Sequence, residues 1–260
     1  MLTPPAPGEV AAPTLGLATP LPLRREGRQK LTGEAQYTDD IVFPGAWYGA
    51  AIRSTEAHAM LLGLEQDPDF DWSKVVVMTA ADIPGDNVVS IIIDDMPALA
   101  EGEIMHHAQP VALLAAPDKA TLREARKRIR PLTEPLAPVF DPEASQAEFA
   151  SYELTKGDPD AAFEQATLIV QGEYRVGHQE QLYIENQAMI AEPRPDGGIT
   201  LTGSMQCPYY VHSALKRALG LSDEQAVITQ AESGGGFGGK EEYPSVVAIH
   251  AALLAQRVGK

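Results

Sequence analysis

The sequence predicts an α+β fold in which short buried strands are interspersed with a few helices. Two observations lead to this prediction. Short apolar, partly β-branched runs are bounded by Gly, Pro or Asp, as buried strands are, and longer apolar periodicities begin at helix-capping residues. With 260 residues, 44% of them hydrophobic, the chain can form one large domain or two ordinary ones. We therefore expect a globular protein.

The first half of the chain is predicted to hold three strands and one helix. The predicted strands cover residues 47–52, 75–79 and 110–115. A helix is predicted over residues 118–130, because Asp118 is a good N-cap and apolar residues follow at helical spacing. We expect Pro131 to end this helix, and the four prolines within residues 131–144 predict a linker.

The second half is predicted to continue with strands and helices. Asp158 followed by Pro159 predicts the start of a short helix over residues 158–166. A long strand region is expected to open at residues 167–170. Gly220 is expected to end the helix predicted at residues 209–219. The remaining predicted elements are strands at 184–191, 199–202 and 226–231, a hairpin-like turn at 193–198, and helices at 209–219 and 244–258.

Proline content and composition divide the chain into three predicted parts. Six prolines lie within residues 1–22, so this stretch is read as an extended arm, with its boundary placed at residue 29. A first domain is predicted over residues 30–145. A second is predicted over residues 150–260, where the last helix is apolar on most sides and is expected to be covered within a larger domain.

Charge and cysteine content exclude several classes of function. The net charge of −16 and a pI near 4.7 would repel nucleic acid and anionic lipid. Cys207 is the only cysteine, so the chain forms no internal disulfide and holds no ordinary iron–sulfur cluster. No secretory signal and no apolar run of membrane-spanning length is present, and a cytoplasmic protein is expected.

Residues 234–241, with the sequence GGGFGGKE, form the most informative motif. Five glycines around one aromatic residue suggest a bare main chain that a ligand can approach. The motif resembles a dinucleotide fingerprint and a phosphate-binding P-loop only superficially. Glu241 stands where a P-loop needs Ser or Thr, and 19 residues after it leave no room for the remaining strands of either nucleotide-binding fold.

Four motifs together resemble the xanthine dehydrogenase and aldehyde oxidase family. GGGFGGKE resembles that family's molybdopterin-binding loop, and GHQEQLYIE at residues 177–185 is similar to its segment with a glutamine beside the metal. GEAQYTDDI at 33–41 and VVMTAADIPG at 76–85 resemble its amino-terminal domain. The resemblance implies a hammerhead-type α/β domain followed by the first part of a molybdopterin-binding α+β domain.

The resemblance also implies roles for five residues. Gln179 would donate a hydrogen bond to a metal oxo group without altering the charge of the site. Gly236 and Gly238 would let the Phe237 main chain lie beside the metal ligands, and Glu241 would contact substrate. Without the family motif, Gln179 would be an ordinary polar residue and Glu241 a helix N-terminal carboxylate. The implied cofactor is molybdenum-molybdopterin, as such or as its cytosine dinucleotide.

The implied protein is part of the molybdenum subunit of a xanthine dehydrogenase-like hydroxylase. Glu241 favours a purine or similar N-heterocycle as substrate. Two alternatives stay open: an aldehyde or aromatic-acid hydroxylase subunit, and a truncated, non-catalytic scaffold. No residue of this sequence matches the family's catalytic base, so the chain is expected to be inactive alone. The implied partners are the remainder of the molybdenum subunit, an iron–sulfur subunit and an FAD subunit.

Overall fold

A computed structural model describes residues 23–89 and 92–260, and its contacts divide the chain after Gln36. The first unit contains helix α1 (Gly27–Thr32), which ends at Gly33 in the left-handed conformation. The predicted arm over residues 1–29 is therefore wrong at its end, and residues 1–22 lie outside the described residues. All six prolines that motivated the arm precede residue 23, so none of them blocks the hydrogen bonds of α1.

The second unit, residues 37–260, begins with an antiparallel sheet. This sheet consists of β1 (Tyr48–Arg53), β3 (Val76–Met78) and β5 (Pro110–Ala116), in the order β1-β5-β3. Strand β5 is central and buried along its whole length, as its unbroken apolar sequence predicts. All three strands predicted in the first half of the chain are confirmed.

A second sheet, in the order β4-β2-β6, corrects two predictions. Its strands are β2 (Ala59–Gln66), β4 (Glu103–Ile104) and β6 (Ile129–Pro135). Helix α2 (Lys119–Lys127) starts at the predicted cap Asp118 but ends before Pro131, and the residues predicted as a linker begin with a strand. Strand β6 lies at the sheet edge and pairs only with β2, which is where a sheet tolerates proline.

The third sheet joins β7 (Met189–Pro193), β8 (Ile199–Gly203) and β9 (Ala226–Gln230). Strands β7 and β8 form the predicted hairpin, closed by a hydrogen bond from Arg194 N to Gly198 O of 2.8 Å. Strand β9 runs parallel to β8. The chain reaches β9 through helix α4 (Pro208–Leu219), which ends as predicted at Gly220 in the left-handed conformation.

The segment between α3 (Pro159–Gln165) and β7 differs most from the predictions. The capped helix α3 is confirmed, with Asp158 accepting from Ala161 N at 3.0 Å. The predicted strand at residues 167–170 is absent, and the strand predicted from residue 184 begins only at Met189. Nothing in the described part of the chain pairs with residues 167–170 to form a sheet.

The main hydrophobic core lies between the first sheet, the third sheet and the last two helices, α4 and α5 (Tyr243–Val258). Arg217 on α4 reinforces this packing by ion pairs to Asp86 and Asp94 on the loop after β3. Fully buried core side chains include Leu99, Leu113, Leu201, Met205, Leu215, Ile249 and Leu253.

Among the described residues, no helix combines the length and apolar character needed to cross a membrane.

Candidate functional site

The glycine-rich loop, residues 234–239, connects the end of β9 to the start of α5. Gly235 has φ +106° and Gly238 has φ +91°, values that glycine adopts readily. Phe237 between them has φ +49°, which is uncommon for a bulky residue, and 76% of its surface is exposed. The loop therefore holds a strained aromatic residue outward, as functional loops often do.

Three other glycines of the loop are needed for packing within the chain. A Cβ atom on Gly234 would collide with Glu185, one on Gly236 with Gln206, and one on Gly239 with the Tyr183 ring. The expectation that the glycines leave the main chain bare for a ligand is thus only part of the explanation. It fits Gly238, where a Cβ atom would have only Glu241 Oε1 near it, at 4.0 Å.

Gln206, which the sequence analysis missed, holds the second half of the loop. Its Oε1 accepts from Gly238 N at 3.0 Å and from Lys240 N at 3.2 Å. Its main-chain N–H donates to Lys240 O at 2.6 Å. No sequence motif identifies Gln206, because its partners lie more than 30 residues away along the chain.

A buried ion pair holds both ends of the loop. The side chain of Lys240 is fully buried, and Nζ lies 2.6 Å from Glu185 Oε2, which also accepts from Gly234 N at 2.8 Å. Lys240 Nζ further donates to Ser204 Oγ at 3.1 Å and lies 4.9 Å from the centre of the Tyr183 ring. Lys240 is therefore occupied within the chain, unlike a P-loop lysine that contacts phosphate.

Burial and hydrogen bonding act in opposite directions on Glu185. Burial by itself raises the pKa of the carboxyl group, but hydrogen bonds from Lys240, Ser204 and Gly234 N, with the charge of Lys240, outweigh it and lower the pKa. The carboxylate is therefore ionised at neutral pH. It anchors the loop to the segment 181–187.

Three consecutive main-chain N–H groups in the loop remain unused. Within the described part of the chain, the amides of Gly235, Gly236 and Phe237 have no hydrogen-bond acceptor, although those of Gly234, Gly238 and Gly239 do. Gly236 is buried, so its free N–H is costly unless something outside the chain accepts from it. Successive N–H groups around residues in left-handed conformations form concave sites that bind anions.

A cavity of about 410 Å³ lies beside the loop. Gln187 reaches it, with Nε2 donating to Gly239 O and to Tyr183 Oη, both at 2.9 Å. Gln187 Oε1 is buried and has no partner within the described residues. The cavity thus combines carboxylate and amide oxygens with aromatic rings. It is lined by Met96, Gln181, Tyr183, Gln187, Gly238, Gly239, Glu241, Glu242 and Tyr243.

The structure brings four of the five predicted site residues together. Gly236, Phe237 and Gly238 lie in the loop, and Glu241 lines the cavity. Gln179 is exposed and makes no hydrogen bond within the described chain, although Gln181, two residues later, lies against Gly239. The role predicted for Gln179 stays a prediction.

Cys207 lies close to this region but is not activated. Burial first, and the charge of Glu241 second, raise the pKa of the thiol. A thiol with a raised pKa is protonated at neutral pH and is a weak nucleophile.

Comparison with known families decides the classification. Residues 32–131 match the family described as "Aldehyde oxidase and xanthine dehydrogenase, a/b hammerhead domain", and residues 140–260 match "Molybdopterin cofactor-binding domain". The chain belongs to the xanthine dehydrogenase and aldehyde oxidase family. The resemblance inferred from four motifs is thereby confirmed.

Individual relatives agree with this assignment. A probable xanthine dehydrogenase subunit of Bacillus subtilis is 29% identical over 253 residues, which are 93% of this chain and 34% of that protein. The "Nicotinate dehydrogenase large molybdopterin subunit" of Eubacterium barkeri is 30% identical, with 89% of this chain and 57% of that protein covered. Aldehyde oxidase 3 of Rattus norvegicus is 29% identical, and the match covers 92% of this chain and 18% of that protein. The chain therefore spans about a third of the first relative's length, over half of the second and under a fifth of the third.

Solved structures share the fold. The aldehyde oxidoreductase of Desulfovibrio gigas gives a TM-score of 0.77 at 22% identity, covering 89% of this chain and 29% of that one. Quinoline 2-oxidoreductase of Pseudomonas putida 86 gives a TM-score of 0.75 at 22% identity, covering 92% of this chain and 33% of that one. The predicted α+β fold, a hammerhead domain followed by a molybdopterin-binding domain, is confirmed.

Proposed function

We propose that this chain forms part of the molybdopterin-binding subunit of a molybdenum hydroxylase that oxidises a purine or a similar N-heterocycle. The observation that carries the proposal is the row of three unused N–H groups at Gly235, Gly236 and Phe237. Anionic oxygen atoms of a molybdopterin cofactor are suitable acceptors for such a row. The family assignment supports the same cofactor.

The reaction converts a C–H group and water into C–OH with release of two electrons and two protons. The bound cofactor would supply the redox chemistry of this step. The residues of this chain would bind and orient the cofactor and the substrate. Gly235 to Phe237 would hold the cofactor by main-chain N–H groups, Gln179 would donate from its side-chain amide, and Glu241 would accept from a substrate N–H. Because Cys207 cannot ligate a cluster alone, the electrons would leave through Fe–S and FAD groups on partner chains.

The cofactor proposal is tested by the molybdenum content of the protein purified from its own cells in its native complex. Gly235→Ala introduces a Cβ atom at φ +106° and 3.2 Å from Tyr183 Cβ, whereas Gly102→Ala, also at a positive φ (+73°) but in the region matched by the hammerhead domain, meets nothing within 4 Å. Gly235→Ala should lower molybdenum per chain roughly tenfold, the effect of about 1.4 kcal/mol in binding. Gly102→Ala should retain it. A native complex without molybdenum would refute the proposal.

Glu241→Val tests the substrate. The carboxylate lines the cavity, so its removal should reduce purine turnover and leave aldehyde turnover intact. Glu148→Val, at an exposed position, is the control. Equal purine turnover by Glu241→Val and the native complex would instead favour the aldehyde or aromatic-acid hydroxylase.

A further inference from the structure

Residues 167–176, between α3 and β7, expose an unusual number of apolar side chains to solvent. Leu168 is 80% exposed, Val170 84%, Tyr174 89% and Val176 79%. Contiguous exposed apolar surface of this kind marks a contact with another part of a protein assembly. The segment therefore needs a covering partner.

The apolar residues of this segment follow the period of a β-strand. Leu168, Val170, Tyr174 and Val176 all stand at even-numbered positions, two or four apart. The odd-numbered positions are mainly polar, being Thr167, Ile169, Gln171, Glu173 and Arg175. In a strand, residues two apart share a face, so one face would be apolar and the other largely polar. β-Branched and aromatic residues also favour strands.

The main chain of this segment lacks a partner. Within the described part of the chain, no N–H or C=O group of residues 167–176 takes part in a hydrogen bond, and the segment forms no helix or strand. A strand sequence with free main-chain groups is a ready template for pairing with a further strand.

We propose that residues 167–176 pair, as a β-strand, with a strand from the part of the molybdopterin-binding subunit that this sequence does not include. This inference rests on the proposed function. The relatives that match nearly the whole of this chain extend well beyond the matched part, since the chain covers 34% and 57% of two of them. A second copy of this chain fits poorly as the occupant, because each copy carries a net charge of −16.

Pairing of this segment would also position Gln179, only three residues after Val176. On the other side of Gln179, Gln181 and Tyr183 already lie against Gly239 of the glycine-rich loop. A paired strand on one side and the loop contact on the other would confine residues 177–180. The exposed Gln179 would then be held near the loop.

Hydrogen–deuterium exchange tests the proposal on the native complex, purified from its own cells through a tag on this chain, and on the recombinant chain alone. In the complex, amides within residues 167–176 should exchange at least roughly a hundredfold more slowly than in the chain alone. Peptide mass mapping should show that the complex contains sequence matching the uncovered part of the relatives. Unchanged exchange, or protection that appears in the chain alone as it self-associates, would overturn the proposal.

Matched variants test which face is covered. Val170→Lys with Tyr174→Lys places charge on the apolar face and should reduce recovery of the complex by about tenfold or more. Gln171→Lys with Glu173→Lys places it on the polar face and should leave recovery unchanged. Equal recovery of the complex with the two double variants would refute the prediction that the apolar face is the covered one. A complex that lacks molybdenum but protects residues 167–176 would refute the proposed function and retain this interface.

Discussion

Replacing Lys240 with Met should destabilise the protein far more than an ordinary loop substitution does. The side chain is fully buried, and its ammonium lies 2.6 Å from Glu185 Oε2. Met retains the aliphatic stem but removes the ammonium group. The Glu185 carboxylate, only 16% exposed, then keeps Gly234 N and Ser204 as hydrogen-bond donors, with no cation beside it and no partner at Oε1. Breaking a buried pair in this way costs about 3 to 5 kcal/mol.

Urea denaturation of the chain measures this cost, with Lys127→Met as the control. Lys127 makes an ion pair of similar length, 2.7 Å, with Glu124, but both side chains are more than half exposed, so its midpoint should not move. The double variant Lys240→Met with Glu185→Leu should recover roughly 1 to 2 kcal/mol, because no unpaired charge then remains. Equal midpoints for Lys240→Met and Lys127→Met would refute the reasoning.

Two further predictions concern stability. Burial lowers the pKa of His250 to about 4 from 6.5, so the unfolded chain binds a proton more readily between these values and stability falls as the pH drops below 6.5. Between pH 7 and pH 5, the free energy of unfolding measured by urea denaturation should fall by about 2 kcal/mol. His250→Gln should remove most of this fall. A midpoint that is the same at both pH values would contradict the argument. Gly220→Ala, at the left-handed end of α4, should lower the free energy of unfolding by about 1 kcal/mol in the same assay. Gly177→Ala should lower it by no measurable amount. Equal midpoints for the two variants would show that the φ of +65° at Gly220 does not require glycine.

Local signals in the sequence were sufficient for most helices and for the central strands. Asp118 and Asp158 cap helices as their sequence context predicts, and Gly220 ends one. Strand β5 is recognisable because its sequence is apolar throughout, in keeping with its complete burial. Strand β2 was missed, since Gly63 interrupts its pattern and its pairing with β6 shifts register between Leu61 and Gly63.

The internal structure of the glycine-rich loop could not be predicted, because it depends on residues distant in sequence. Glu185 and Gln206 contact the loop and the adjacent Lys240 at sequence separations of 32 to 55 residues. The motif GGGFGGKE marks the loop as unusual, but only the fold shows that several of its glycines make room for the chain's own side chains. The strand expected at residues 167–170 fails for another reason: strand propensity needs a neighbouring strand, and the described chain offers none.

The main core draws side chains from both family-matched regions. Leu99 and Leu113 come from residues 32–131, and Leu215 and Leu253 come from residues 140–260. Residues 141–160, at the start of the second region, are in contrast all exposed. A protease that nicks the chain there would produce two bands on a denaturing gel, yet the two pieces would stay together in solution. Neither piece could separate without exposing its part of the shared hydrophobic core to water.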